Sequence, residues 1–467
     1  MKPPGTLRKL GYLLAARWFR DGLQALFLLL LARRSTGMFG NFMLAMSLGQ
    51  ILLFTTEFGI NQHFTVLLSR GRVSPGSIFR QVSAIKAVLF GLGLAAMAGF
   101  CRWQSYDAEL LAVALIVGAA FGLDAQVNSF YVLCRVLHRQ DVEGRLRGVA
   151  ALAGYGYGLA ALLLGAPPMA VALFKPVETC VGLFFTARIL LRKRLRAAVW
   201  TLASLWENWR ESIVFTVMAI AAILYNKINL FFLQRHAGTE AVAQYSATWQ
   251  VVDGVSVLVS GLLLGSVLFP LLARLWNRDR AAFLSTARFQ AAFLTAAALP
   301  AMFVLALQSG FILSLLYGPA YAEAARIQPQ LVLCILLAFV HNLAYYLLLS
   351  MGRQRLLTVY FLAGLALNAA LCAWAIPRWQ LDGAVWSIVL TKGFMALLTL
   401  GSCQRLIGLF SLGAVLRPVL AAAGAWGLAW GGQNLGLPLL GQAGGLVLLL
   451  GLLWWTARRR PPAEAAP

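Results

Sequence analysis

Arg17, Arg20, Asp21 and Gln24 follow one another at i, i+3, i+4 and i+7, so a helix carries all four on one face. The run around them is apolar, and a charge in such a run normally faces a polar cavity or a partner. Two readings stand. Either Arg17 and Asp21 form a local pair that ties the helix to its neighbours, or Arg17 and Arg20 line a cavity; only the second gives Arg20 a role. Lys86, Lys175, Lys227 and Lys392 also sit inside apolar runs. Lys175 has Glu178 one turn away, a pair that is either structural or functional. Lys86 lies about two turns into its run and either snorkels to the interface or joins the cavity. Lys227 and Lys392 have no carboxylate within a turn of their own helices.

The acids at similar depth are Asp21, Glu57, Asp124, Glu178 and Asp253. Asp253 shares a polar stripe with Ser246, Gln250 and Ser260, and is either a counter-ion for Lys227 or a site for a coupling cation, proton or sodium. The predicted binding set is therefore Arg17, Arg20, Lys86, Lys175, Lys227 and Lys392, with Asp21, Asp124 and Asp253 as counter-ions or coupling groups. Such a set attracts an anion. The planar guanidinium of Arg matches phosphate oxygens bidentately, while Lys acts as a point charge. His341, beside Asn342, reads as a hydrogen-bonded structural residue. Neither a catalytic constellation nor a metal-ligand spacing is expected, and no nucleotide-binding motif is present.

These residues need helices to position them. Of 467 residues, 60% are hydrophobic and 12% charged, about half the charged share of a typical soluble domain. Runs of about 20 apolar residues recur along the chain, each long enough to cross a ~30 Å hydrocarbon core. The expected class is all-α: a polytopic membrane protein with about fourteen spans. They are placed at 10–31, 38–58, 78–100, 110–133, 149–164, 169–191, 213–232, 243–272, 289–307, 331–349, 357–375, 384–400, 412–430 and 440–455. The fifth is weakened by glycines. The eighth is too long for a straight crossing and is expected to tilt or project.

The formal charge of +23 fits a membrane protein better than a nucleic-acid binder, because the basic residues cluster in short loops. Nearly all of them, Arg135 and Arg147 included, fall on one set of span ends, which places both termini in the cytoplasm; Arg33 and Arg34 are the local exception. The six cysteines lie in or beside apolar runs and suggest neither a disulfide framework nor a metal site. The N-terminal run carries Arg17, Arg20 and Asp21 and lacks a small-residue cleavage site, so it reads as the first span.

A basic segment, 192–211, carries Val199, Leu202, Trp206 and Trp209 at helical spacing and reads as an interfacial helix. It divides a first bundle, 1–191, from a second, 212–403; two further spans occupy 404–456, and 457–467 reads as a disordered tail. The bundles are expected to be pseudo-symmetric around a central cavity. Asn128, Tyr131, Arg139 and Gln140 recur as Asn342, Tyr345, Arg353 and Gln354, each 214 positions later. Internal duplication with the site between the halves is a common transporter plan.

Four passages carry a family likeness: GMFGNFMLAMSLGQILLFTTEFGIN from Gly37, NKINLFFLQRHAGTEAVAQYSATWQ from Asn226, ILSLLYGPAYAEAARIQPQLVLCILLAF from Ile312 and NAALCAWAIPRWQLDGAVWS from Asn368. In these the chain resembles the polysaccharide and O-antigen flippases of the multidrug/oligosaccharidyl-lipid/polysaccharide exporter superfamily. The third passage has the family's Leu-Tyr-Gly-x-x-Tyr pattern and the fourth its Asn, Pro, Gly-Ala order. The resemblance implies two bundles around a cavity and a polyprenyl-(pyro)phosphate-linked oligosaccharide as cargo, with Arg17 and Arg20 as phosphate-binding residues. It also implies a bacterial cytoplasmic (inner) membrane location, membrane lipids and other polysaccharide-assembly proteins as partners, and no cofactor beyond a possible coupling cation. The family often has an acid where this chain has Asn226, so ion coupling is not carried over to that position. Two other readings remain: a multidrug or other lipid exporter of the same superfamily, and, more remotely, a membrane-bound polysaccharide polymerase or ligase. The polymerase reading lacks the large external loop that such enzymes devote to sugar chemistry.

Overall fold

The computed structural model describes residues 4–61, 75–137, 139–192, 202–258, 264–265, 268–410 and 412–458. Two compact units follow one another along the chain, Met1–Ala243 and Gln244–Pro467. The first unit contains α1 (Pro4–Arg34), α2 (Thr36–Glu57), α3 (Pro75–Trp103), α4 (Ala108–Val136), α5 (Gln140–Leu163), α6 (Pro168–Ala172) and α7 (Phe174–Arg192). The first arm of α8 (Leu202–Leu258) completes it; α8 kinks at Gly238, whose φ of 80° is in the left-handed region open to glycine.

The second unit holds the rest of α8, then α9 (Phe269–Arg278), α10 (Arg280–Leu307), α11 (Ser309–Tyr317), a 3-10 turn (Pro319–Tyr321) and α12 (Ala322–Leu331). It continues with α13 (Leu333–Ser350), α14 (Gln354–Ile407, kinked at Gln380), α15 (Leu412–Asn434) and α16 (Pro438–Arg458).

Among the described residues ten helices are long and apolar enough to span a membrane. Two of these, α8 and α14, are kinked into two arms, and with α1 and α15 the expected fourteen crossings are reached. The chain is an all-helical, multi-pass membrane protein. Of the long eighth run, expected at 243–272, residues 259–263, 266 and 267 lie outside the described residues; α8 is described to Leu258 and α9 from Phe269, with Pro270 in its first turn. The sixth run is broken: α6 ends at Ala172 and α7 starts at Phe174. Of the basic segment at 192–211, residues 193–201 lie outside the described residues; from Leu202 the backbone is continuous with α8. The tail at 459–467 lies outside them too.

Helix ends show why the chain folds this way locally. Ser35 and Asp107 cap α2 and α4 by accepting from the backbone N–H of Met38 and Leu110. Arg34, one of the two residues that broke the charge rule, donates from Nη1 to Leu162 O at 2.6 Å. A cation at the C-terminus of α5 meets the negative end of that helix, which explains the exception. The Leu-Tyr-Gly-x-x-Tyr motif is a reversal. Gly318 adopts φ 95° between α11 and the 3-10 turn, and the rings of Tyr317 and Tyr321 meet at 5.3 Å.

The 214-residue repeat is visible in the elements. The end of α4 at Val136 and the start of α5 at Gln140 correspond to the end of α13 at Ser350 and the start of α14 at Gln354.

The glycines that weaken the fifth run have a packing reason. A Cβ on Gly154 would fall 2.5 Å from Glu178 Cβ and 2.7 Å from Phe174 O, so the bare backbone lets α7 close onto α5. Phe27, Tyr155 and Phe174 then pack as one aromatic cluster, with Phe27 and Phe174 centroids 4.5 Å apart. This cluster joins α1, α5 and α7 and sets the position of the charged groups beside it.

Candidate functional site

The first unit holds an open cavity of about 580 Å³. Its charged lining is Arg17, Arg20, Glu57, Asp124, Arg135, Arg147 and Glu178, interleaved with Gln50, Asn61, Asn128 and Tyr131. Helices α1, α2, α4, α5 and α7 all contribute.

One side of the cavity is a four-residue ion network. Arg20 Nε donates to Glu178 Oε1 at 2.6 Å, and Lys175 Nζ donates to Glu178 Oε2 at 2.6 Å. Lys175 also pairs with Asp124, whose other oxygen accepts from Thr179 Oγ1 at 2.7 Å. Lys175 is fully buried and lies 4.5 Å from the Phe121 ring centroid. Two cations and two carboxylates balance here, as a buried charge requires. Arg20 spends only its Nε on Glu178. Among the described residues its two Nη groups have no protein partner, and the side chain keeps 25% exposure. Gln24, one turn on, accepts from Tyr155 OH at 3.1 Å, so the predicted helix face does line up.

A second cluster lies at the α4–α5 end. Arg135 grips Glu143 through Nε and Nη2, both at 2.9 Å, and Arg147 Nε adds a third bond at 3.0 Å. The Glu143 side chain is 1% exposed. Arg147 also lies over the Tyr131 ring at 4.2 Å from its centroid. Between the two clusters, Asn128 Nδ2 donates to Glu57 Oε1 at 2.7 Å.

Of the six predicted cations, Arg17 and Arg20 line this cavity. Arg17 is 68% exposed and its Nε lies 3.9 Å from Asp21, so the local pair is long and open to solvent. Lys175 lies behind the lining, in the network with Asp124 and Glu178. Lys86 does not snorkel: it is fully buried and donates to Asn61 Oδ1, Ala125 O and Ser129 Oγ at 2.7–2.8 Å. Lys227 is half-buried on the first arm of α8 and is not in the lining.

The other two predicted groups belong to the second unit. Lys392 is buried on the second arm of α14, 5.2 Å from the Trp249 ring centroid. Asp253 is half-buried on the second arm of α8. His341 bonds Thr399 Oγ1 through Nδ1 at 3.2 Å, a structural contact as expected.

The sequence reading missed Arg135, Arg147 and Glu143 as cavity groups, because it counted both arginines among the loop charges that set orientation. The Glu143–Arg147 spacing of four was the available signal. Their approach to Tyr131 and to the α1–α7 network is a tertiary fact.

The family described as polysaccharide biosynthesis protein matches residues 6–276, more than half of the chain and every helix that builds this cavity. The chain belongs to that family. None of the curated proteins matches it in sequence. Solved structures share its fold. A lipid II flippase, MurJ, in an inward closed conformation aligns with a TM-score of 0.66 at 12% identity, over 96% of this chain and 99% of that one. An inward-facing multidrug resistance transporter of the MATE family gives 0.64 at 13% identity, over 83% and 94%. A MOP superfamily transporter from Pyrococcus furiosus, described by the reverse polarity of its binding pocket, gives 0.57 at 15% identity, over 86% and 96%. At these identities the likeness establishes the exporter and flippase fold.

Proposed function

We propose that the protein is a flippase. It moves a polyprenyl-(pyro)phosphate-linked oligosaccharide from the cytoplasmic to the outer leaflet of a bacterial inner membrane, for cell-surface polysaccharide such as O-antigen, capsule or exopolysaccharide. Both termini are cytoplasmic in this reading. The observation that carries it is the cavity inside the family-matched helices, where the Arg20 guanidinium keeps both Nη donors open beside an otherwise neutralised network. A phosphate oxyanion suits that fork. The saccharide suits the surrounding amides and Tyr131, and the polyprenyl tail stays in lipid. Lys227 and Lys392 are proposed to join the anion's path.

Alternating access between the two units supplies the movement. An inside-negative potential favours outward transfer of an anion by roughly 2.3 kcal/mol per charge per 100 mV. Coupling to a proton or sodium remains part of the proposal, with Asp21, Asp124 or Asp253 as the carrier; Asp124 first has to part from Lys175. A multidrug exporter of the same fold is the second reading. It is disfavoured by the charge of the lining, where four arginines face three acids, since cationic drugs call for the opposite balance.

The test is the sidedness of lipid-linked oligosaccharide in membranes with and without the protein, read with an impermeant lectin or glycosidase. Cytoplasm-facing oligosaccharide should accumulate without the protein and reach the outer face once it is restored. Unchanged sidedness, with redundant flippases removed, would sink the reading. Arg20→Ala, Lys227→Ala and Lys392→Ala should each lower transport with near-normal protein abundance.

A further inference from the structure

Arg135, Glu143 and Arg147 form a built cluster that the reading above does not use. Two guanidinium groups share one buried carboxylate, so these three groups carry one net positive charge, with Glu57 acting on Arg135 from farther off, whereas the network of Arg20, Lys175, Asp124 and Glu178 is neutral. The bonds to Glu143 take Nε and Nη2 of Arg135 but only Nε of Arg147. Among the described residues this leaves Nη1 of Arg135 and both Nη groups of Arg147 without a protein acceptor. Both side chains line the cavity, with Arg135 49% and Arg147 25% exposed. Glu143 and the Tyr131 ring fix their orientation, so little side-chain entropy is lost when an anion binds. Along α4, Arg135 is eleven residues beyond Asp124, a separation of about 16 Å at ~1.5 Å per residue. The two clusters therefore meet the cavity about three turns of α4 apart.

We infer that Arg135 and Arg147, held by Glu143, form a second anion-binding site at the α4–α5 end of the cavity, separate from the site at Arg20. Its ligand is a phosphate or diphosphate oxyanion. In the flippase reading, on which the source of that oxyanion rests, it is the head group of the polyprenyl carrier, captured at the membrane surface before it passes inward to Arg20. The cavity then holds two stations for one cargo. Between them the lining offers the amides of Gln50, Asn61 and Asn128.

The decisive experiment needs no variant. The wild-type protein in lipid nanodiscs is treated with phenylglyoxal, which modifies arginine, and labelling of Arg135 and Arg147 is followed by mass spectrometry. Farnesyl diphosphate should slow labelling of both at least fivefold, and farnesol, the uncharged control, should not. Inorganic pyrophosphate at equal concentration separates the sources: equal protection assigns the site to any free oxyanion, weaker protection to a lipid head group. Unchanged labelling of both arginines with farnesyl diphosphate would overturn the site.

A second measurement counts stations. Wild-type protein should bind two farnesyl diphosphates per chain, and Arg135→Gln/Arg147→Gln and Arg20→Gln one each. A single site in the wild type, indifferent to the double substitution, would also overturn it. Failure here leaves the sidedness experiment standing. Conversely, protection without any flipping would keep the site and discard lipid-linked sugar as cargo.

Discussion

The same position does different work in the two halves of the repeat. In the first unit Tyr131 receives the Arg147 guanidinium at 4.2 Å; 214 residues later Tyr345 meets Phe361 edge-on at 6.0 Å. Glu178, which holds Arg20 and Lys175, corresponds by the same offset to Lys392, which lies over Trp249. The helix boundary recurs and the electrostatics do not. In the first unit, the ion pairs of Arg20, Lys175, Arg135 and Arg147 gather at the cavity. Among the described residues of the second unit, Arg326 pairs with Glu323 and Asp382, all exposed, near the kink at Gln380. The matching positions keep their helices because packing tolerates many apolar solutions, and they differ in charge because each buried charge needs its own partner.

The sharpest way to break this comparison is to exchange the two positions. Phe361→Arg puts a guanidinium at a site that is 6% exposed and whose counterpart of Glu143 is Leu357. It should cost the most, several kcal/mol, seen as loss of folded protein in size-exclusion chromatography. Arg147→Phe makes the reverse change and leaves Glu143 with Arg135, so the protein should fold with a loss of about 1 kcal/mol while anion binding weakens. If both exchanges cost the same, the asymmetry between the halves is not electrostatic.

Lys175→Met strands Asp124 and Glu178 with Arg20 as their sole remaining cation in the network. Thermal unfolding in detergent should report a loss of about 3–5 kcal/mol. Lys392→Met, in the second unit, removes a stacked ammonium and should cost about 1–2 kcal/mol by the same measurement. A larger loss at Lys392 than at Lys175 would invert the comparison. Arg17→Ala should be the mildest: its pair with Asp21 is long and exposed, and stability should stay within about 0.5 kcal/mol of wild type.

Much of the architecture was legible in the sequence because membrane helices announce themselves by length and composition. The α1 face of Arg17, Arg20, Asp21 and Gln24 was legible too, since spacing along a helix fixes which side chains share a face. The break between Ala172 and Phe174 was not, because a run long enough to cross looks the same whether one helix crosses it or two pieces do. Lys86 shows the same limit. Depth along the helix was consistent with snorkelling, and only Asn61 and Ser129, contributed by other segments, made full burial affordable.

The sequence by itself therefore determined an all-helical membrane protein with a pattern recurring at 214 residues and charges committed to its interior. Each of those is a local or periodic property of the chain. The tertiary structure decided which charges meet. It bound Lys175 to two carboxylates from different helices, left the Arg20 fork open, and turned Arg135 and Arg147 from loop charges into cavity groups. Pairing between residues up to 158 positions apart, as in Arg20 and Glu178, depends on how helices pack, and that is set by Gly154 and the Phe27–Phe174 contact rather than by any spacing between the charges themselves.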